Sequence, residues 1–191
     1  MSRTRQLLVF MLLLIATATA STAQDSSSEY VAPSQAIPTG KAPGMKVKLL
    51  SNGEQLKEYA VIFAEGDEAF SGMQAFAEQY HVTSAHFSAI GGLKRATLGW
   101  FDTQREMFKK IPIDSQVEVL SMIGDIAMYK DKPVVHAHMV LGTSDGNARG
   151  GHLLEAIVWP TLEVIVTVDP IAMKKAFDPQ TRLTLIDPSL K

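Results

Sequence analysis

The sequence predicts an α+β fold with a central, mostly antiparallel sheet and one principal helix. Short segments in which apolar and polar residues alternate recur along most of the chain between turn residues, which is typical of strands. Only one segment, after Asp67, carries apolar residues at helical spacing. The connections are too short for repeated helical crossovers, so we expect neighbouring strands to run antiparallel.

The amino-terminal segment is predicted to lie outside the folded domain. Residues 1–23 combine two arginines, an apolar run from Leu7 to Ile15 and small residues, which is typical of a cleaved secretory signal peptide. The run is too short for a membrane span of about 20 residues, so we expect a periplasmic or secreted protein with no membrane anchor after cleavage. Residues 24–44 contain three prolines and several serines and are predicted to form a flexible linker.

Charge and cysteine content limit the classes of partner. Without the two arginines of residues 1–23, 16 basic residues remain against 20 acidic ones, and the formal net charge changes from −2 to −4. Nucleic-acid binding depends on clustered Lys and Arg, so this balance disfavours it. The chain has no cysteine, so stability must come from the core, from subunit association or from a bound metal.

Residues 45–191 are predicted to form a single domain. The domain begins with the strands "MKVKLL" and "KEYAVIFA", which are separated by an Asn52-Gly53 turn signal. Asp67 is the expected N-cap of the helix that follows. The helix face predicted to pack on the sheet consists of Phe70, Met73, Phe76, Ala77 and Tyr80.

The remaining elements are predicted to be strands. In chain order they are "SAHFSAI", expected to end at Gly91-Gly92, then "ATLGWFD", "MFKKIPI", "QVEVLSMIGDIAMY", "VVHAHMVL" and "TLEVIVTV". The "KDKP" turn and a Ser-Asp-Gly-Asn loop separate the last three strands. Short turns of this kind favour hairpins between consecutive strands.

Three of the five histidines, His136, His138 and His152, lie within seventeen residues of sequence. Alternate residues of a strand share a face, so His136 and His138 point the same way, while the opposite face of "VVHAHMVL" is wholly apolar. If the chain reverses around Ser144 to Gly146, His152 returns opposite His138 and on its face. A slip of one residue would turn His152 away.

A cluster of three neutral imidazoles with an open fourth position suits a divalent metal. Zn²⁺ is the first choice, and Cu²⁺, Ni²⁺ or Fe²⁺ fit the same ligands. A polar cluster or pocket without metal is the alternative. His81, which follows the helix, and His86, which lies on a strand, are not assigned to the metal set.

Several segments resemble, in order, the PPC domain family (plants and prokaryotes conserved). They are "YAVIFAEGDE", "FSAIGGLKRATLGWFD", "EVLSMIGDIA" and "KPVVHAHMVLGTSDGNARGGHLLEAIVWPTLEVIV", within residues 45–169. The resemblance implies a homotrimer whose metal-binding set, His136, His138 and His152, lies near the subunit contacts. Plant relatives join this domain to AT-hooks and act on DNA. This chain, which we expect to be an exported bacterial member, lacks the Arg-Gly-Arg-Pro core of an AT-hook.

Three functions therefore remain open. The first is metal binding by an exported homotrimer, with the metal structural or a docking point for a small anionic ligand. The second is a metal-dependent hydrolase-type enzyme, with Glu118, Glu155 or Glu163 as the base. The third is DNA binding, which only the resemblance implies. Lys94-Arg95 and Arg149 are interpreted as solvated loop charges, or else as a cationic edge to a ligand pocket.

Overall fold

The computed structural model of the protein describes residues 29–35, 41–53 and 55–190. The predicted signal peptide, residues 1–23, lies outside these ranges. Within them the fold is α+β, as predicted, with one helix, α1 (Ala69–Gln79). No helix in this part of the chain is both long and apolar enough to span a bilayer. The strands are β1 (Tyr30–Val31), β2 (Lys46–Asn52), β3 (Lys57–Ala64), β4 (Ser84–Asp102), β5 (Met107–Ile113), β6 (Val117–Tyr129), β7 (Lys132–Gly142), β8 (Ala148–Val168), β9 (Lys175–Phe177) and β10 (Thr184–Ile186).

Eight strands form one antiparallel sheet in the order β1-β5-β4-β6-β7-β8-β3-β2. A further pairing joins β4 to β8, so β4, β6, β7 and β8 are connected in a closed ring. Strands β9 and β10 form a separate antiparallel pair. The predicted antiparallel arrangement is therefore confirmed.

The helix begins one residue later than predicted, because Glu68 and not Asp67 is its N-cap. The Glu68 carboxylate accepts hydrogen bonds from the backbone N–H groups of the second and third helix residues. Asp67 is buried, and its carboxylate accepts from Gly44 N at 2.9 Å and Ala64 N at 3.0 Å. The Asp67 oxygens are thus used to hold the strands beside the helix, and they leave the cap to Glu68.

The core lies between α1 and one face of the sheet. The predicted apolar helix face is buried except at Tyr80, the C-cap residue. Helix α1 packs on β7 and β8. The inward residues of β7 are the apolar set that alternation predicts: Val135, Ala137, Met139 and Leu141. The other face of β7 carries the histidines, and it points away from this core.

Strand β4 is longer than predicted, since it continues through Gly91 and Gly92. The pairings of β4 with β6 and with β8 both shift register next to Gly91, which marks a bulge. Gly91 has a φ of 150°, and a Cβ there would lie 2.4 Å from the carbonyl oxygen of Thr161. The glycine pair therefore allows two strands to approach closely and does not end the strand.

Three short strands have no counterpart in the prediction. Strand β1, inside the segment predicted as a linker, pairs with β5, and Glu29 beside it forms a 3.1 Å ion pair with Lys109. Strand β9 contacts β6, and just before β9 the Met173 carbonyl accepts a hydrogen bond of 2.8 Å from Met128 N at the end of β6. Strands of two or three residues are too short to show an alternation of apolar and polar residues.

Candidate metal centre

The hairpin of β7 and β8 sets the position of two imidazoles. His138 and His152 are direct partners across the two strands, as the sequence predicts. The connecting turn is held by Asp145, whose carboxylate accepts from Asn147 N at 3.2 Å and from Thr143 Oγ1. Hydrogen bonds from Thr143 and then from Asn147 lower the pKa of Asp145 to about 2. A charged, fully bonded aspartate therefore fixes the turn, and with it the strand register.

The third imidazole, His136, lies two residues before His138 on the same face. The ring centroids are 5.1 Å apart for His136 and His138, 5.1 Å for His136 and His152, and 5.4 Å for His138 and His152. One nitrogen from each ring lies within 4.8 Å of the other two. The structure thus brings together the three histidines that the sequence singles out.

The spacing of these nitrogens fits a divalent ion after small rotations. A tetrahedral ion with metal–nitrogen bonds of about 2.0–2.1 Å holds its ligand nitrogens about 3.4 Å apart. Nitrogens within 4.8 Å of one another must close by at most about 1.4 Å, which side-chain rotation supplies without moving the strands. His138 is the exposed member of the set, so a fourth position faces solvent.

Two charged residues that the sequence analysis does not single out stand behind His136. Its Nδ1 lies 3.1 Å from Asp125 Oδ2, and Lys175 Nζ lies 2.8 Å from Asp125 Oδ1. Burial raises the pKa of Asp125, but the contacts of its carboxylate with His136 and then with Lys175 more than offset this effect and leave the pKa below its usual value. Asp125 is therefore a carboxylate anion that occupies Nδ1 of His136, and this leaves Nε2 as the nitrogen for an ion.

The ring of His152 is held by an aromatic neighbour. Phe108 of β5 stacks on it with a centroid distance of 4.4 Å and an interplanar angle of 12°. Burial, followed by the proximity of His136 and His138, lowers the pKa of His152 to about 3. Burial and then His136 also lower the pKa of His138. Both residues are thus neutral at pH 7, which is the form that binds metals.

Glycines allow the strands that carry the site to pack closely. A Cβ on Gly151, next to His152, would lie 2.8 Å from the carbonyl oxygen of Gly99 on β4. A Cβ on Gly124, next to Asp125, would lie 2.3 Å from the carbonyl oxygen of His136. Glycine at these two positions permits the approach that places the ligand side chains side by side.

The other two histidines do not join the cluster. His81 follows α1 in a left-handed conformation, with a φ of 52°. His86 lies on β4 opposite Asp125, but its Nδ1 is 3.7 Å from Asp169 Oδ1. No carboxylate completes a larger group with the three histidines among the residues that the structure describes.

The three glutamates considered as bases are directed elsewhere. Glu155 forms a 2.9 Å ion pair with Arg95. Glu118 and Glu163 line a shallow groove together with Ile90 and Leu120. Ile123 of β6 is the direct partner of His138, and Glu118 lies five residues from Ile123 on the same strand. At 3.3 Å per residue, this is a distance of about 16 Å. A general base must lie within hydrogen-bond reach, so Glu118 is too far from the imidazoles.

The basic residues considered as a cationic edge belong to strands and not to loops. Lys94 and Arg95 lie within β4, and Arg149 lies within β8. Arg149 is three residues from His152 in the regular part of the hairpin, so it is on the opposite face. The cation that does approach the site is Lys175.

Comparison with known proteins identifies the family. The Plants and Prokaryotes Conserved (PCC) domain, the family written PPC above, matches residues 50–169. No protein of curated function matches the chain in sequence.

Solved structures agree with the family match. A PPC protein from Pyrococcus horikoshii is 26% identical with a TM-score of 0.65, and the match covers 76% of this chain and 96% of that chain. A metal-containing protein from Archaeoglobus fulgidus is 30% identical with a TM-score of 0.63, covering 75% and 97%. A candidate DNA-binding protein from Ralstonia eutropha is 27% identical with a TM-score of 0.64, covering 86% and 99%. Fold and sequence together show that this chain belongs to the PCC domain family.

Proposed function

We propose that this chain binds one divalent metal ion on His136, His138 and His152. The observation that carries the proposal is the convergence of three imidazole nitrogens within 4.8 Å of one another, two of them on residues with lowered pKa values. Zn²⁺ is the ion we favour, because three histidines with an open fourth position are a common zinc-binding arrangement. Cu²⁺, Ni²⁺ and Fe²⁺ bind the same ligands and are the alternatives. The relative from Archaeoglobus fulgidus is a metal-containing protein, which supports the binding of a metal by this chain.

A small anion is the ligand we propose for the fourth position. The three imidazoles are neutral when they bind an ion, and the charges of Asp125 and Lys175 cancel each other. A divalent ion would therefore give the centre a net charge of about +2. This charge, next to the exposed His138, favours an anionic partner over a cationic or apolar one.

A homotrimer is part of the same proposal. The family resemblance implies three subunits, and the outer face of the sheet offers a surface on which they could contact one another. Ile123, with 60% of its surface exposed, is the direct partner of His138, and Ser88 lies between Ile123 and Ile165. Exposed large apolar residues on this face are Ile90, Leu120, Ile123, Val140 and Ile165. Such a surface is typical of a contact between subunits.

The proposed setting is outside the cytoplasm, periplasmic or secreted, because of the apolar segment near the amino terminus. We do not assign DNA as a partner, although the relative from Ralstonia eutropha is named for it. The acidic net charge opposes phosphate binding. Titration with duplex DNA at several salt concentrations tests this point, and steeply salt-dependent binding would contradict it.

One experiment tests the metal and the assembly together. Purified protein, prepared without chelator and reconstituted with Zn²⁺, is analysed for metal content and for its mass in solution. We expect about one ion per chain and a mass of three chains. The variant His138→Ala is expected to lose the ion, because two remaining imidazoles make a weak site. His86→Ala, which removes an exposed imidazole outside the cluster, is the matched control and should keep it. Wild-type protein without metal would overturn the proposal.

A further inference from the structure

We infer that Lys175, on the carboxy-terminal hairpin of β9 and β10, is a positioning residue for the metal centre. It acts through Asp125, which joins Lys175 Nζ at 2.8 Å to His136 Nδ1 at 3.1 Å. Lys175 lies outside residues 50–169, which the family domain covers. The inference rests on the proposed metal-binding function, because His136 is one of the three proposed ligands.

The burial of Lys175 shows that the contact is specific. Its side chain is only 3% exposed, whereas its neighbour Lys174 is exposed. A buried ammonium group is strongly unfavourable unless an anion is paired with it. Asp125 is the only carboxylate that forms an ion pair with Lys175 among the described residues.

The contact is equally specific from the side of Asp125. Its Oδ1 is buried and has no hydrogen bond of suitable geometry to any described group, so the ion pair with Lys175 is its only polar contact. With Oδ1 held by the ammonium, Oδ2 is directed at His136 Nδ1. The carboxylate is thus oriented from behind, and a free carboxylate would rotate about its own bonds.

The orientation of Asp125 decides which nitrogen of His136 is available. A neutral imidazole has one N–H and one lone pair, and a carboxylate at Nδ1 favours the form that carries the hydrogen there. The lone pair is then on Nε2. Outer contacts of this kind fix the ring and the tautomer of a metal-binding histidine, and their loss usually weakens binding about 10- to 100-fold.

The hairpin that carries Lys175 is attached to the same strand as Asp125. Met128 lies on β6, three residues after Asp125. Its backbone N–H donates to Met173 O, and it forms an isolated β-bridge with Lys174. The position of Lys175 therefore depends on how the hairpin lies against β6. By linkage, an ion that binds better when the hairpin is docked must also stabilise the docked hairpin.

The test compares Lys175→Met with Lys174→Met, which removes an exposed lysine from the adjacent position. Affinity for Zn²⁺ is measured by competition with a chromophoric chelator, and the tautomer of His136 in metal-free protein is measured by nitrogen NMR. We expect Lys175→Met to weaken binding about 10- to 100-fold and to replace the single tautomer of His136 by a mixture. Lys174→Met should match wild type in both measurements.

A second variant protects the test against misfolding. Lys175→Gln removes the charge but retains an N–H donor, so it should fall between Lys174→Met and Lys175→Met, and it decides the question if the methionine variant does not fold. Unchanged affinity and an unchanged His136 tautomer in the folded variant would overturn the inference. If wild type binds no Zn²⁺ but the tautomer still depends on Lys175, the proposed function fails while the positioning role stands.

Discussion

The start of helix α1 and the three-histidine cluster of the candidate metal centre are two polar clusters beside the same strand, and they use their polar atoms differently. At the helix start, Glu68 accepts from Phe70 N at 3.1 Å, Ser71 N at 2.7 Å and Ala156 N at 2.9 Å. Four residues away along β8, the imidazole of His152 forms no hydrogen bond to the part of the chain that the structure describes, and the same holds for the imidazole of His138. The carboxylate of the first cluster is fully hydrogen-bonded to backbone N–H groups, whereas the second cluster retains imidazole nitrogens without a partner.

This difference is the one expected between a cluster that stabilises the fold and one that binds a ligand, as proposed for the histidines. Buried polar atoms that are fully paired stabilise the fold. When one of them is removed, its partners are left buried without a hydrogen bond, which destabilises the protein. Polar atoms that converge without pairing with each other are arranged for something else to bind. Changes at the first cluster should therefore cost more stability than changes at the second, where variants should chiefly affect ligand binding.

The largest effect is expected at Glu68. Glu68→Ala removes the N-cap and leaves three buried N–H groups without their acceptor, which costs about 3 to 5 kcal/mol of unfolding free energy. Urea unfolding followed by circular dichroism measures this loss. Glu65→Ala, at an exposed position, is the control and should change stability by less than about 0.5 kcal/mol. A similar loss in both variants would show that the buried hydrogen bonds of Glu68 do not stabilise the fold.

An intermediate effect is expected when the metal-free protein is acidified. The pKa of His152 is lowered from 6.5 to about 3, so between these values the unfolded chain binds a proton that the folded chain does not. Stability is therefore full above pH 6.5 and is lost as the pH falls. Between pH 7.5 and pH 5 the loss from this group is about 2 kcal/mol.

Urea unfolding with EDTA at both pH values measures this dependence. His152→Gln removes the titrating group, so the variant should lose about 2 kcal/mol less than wild type over the same interval. His138, whose pKa is also lowered, contributes in the same direction in both proteins. Equal losses in the two proteins would mean that His152 is not held neutral by the fold.

The smallest effect is expected at Phe108. Phe108→Leu retains an apolar side chain but removes the ring that stacks on His152. We expect the free energy of unfolding to fall by about 1 kcal/mol. The exposed fraction of His152 should rise, and its pKa should rise with it. Proton NMR titration of the imidazole measures that change in metal-free protein. A pKa of His152 that does not move would show that Phe108 only packs against the site.

Much of the fold and the ligand set follow from periodicity in the sequence. The alternation in "VVHAHMVL" places His136 and His138 on the outer face, and the turn residues around Asp145 place His152 opposite. These features are local, since they depend on one strand and one hairpin. The Asp67 and Gly91-Gly92 predictions were wrong in detail, because the neighbouring strands decide what Asp67 bonds to and where β4 bends.

The outer part of the site depends on contacts between distant segments. An aspartate inside the strand "IGDIA" is an available signal for Asp125, because Asp is depleted in strands, but its pairing with His136 requires the register of β6 against β7. Phe108 and Lys175 have no such signal. They reach the site through β5 and β9, which are brought there only by the folded chain.

The closed ring of β4, β6, β7 and β8 has a consequence for how an ion would bind. The segment of β8 that carries His152 pairs with His138 on one side and with Gly99 of β4 on the other. A shift of this strand by one residue would break both ladders, so the imidazole spacing is preorganised by the protein and does not wait for the ion. Apoprotein and loaded protein should therefore share one backbone here, and loading should be a capture event, without coupled folding.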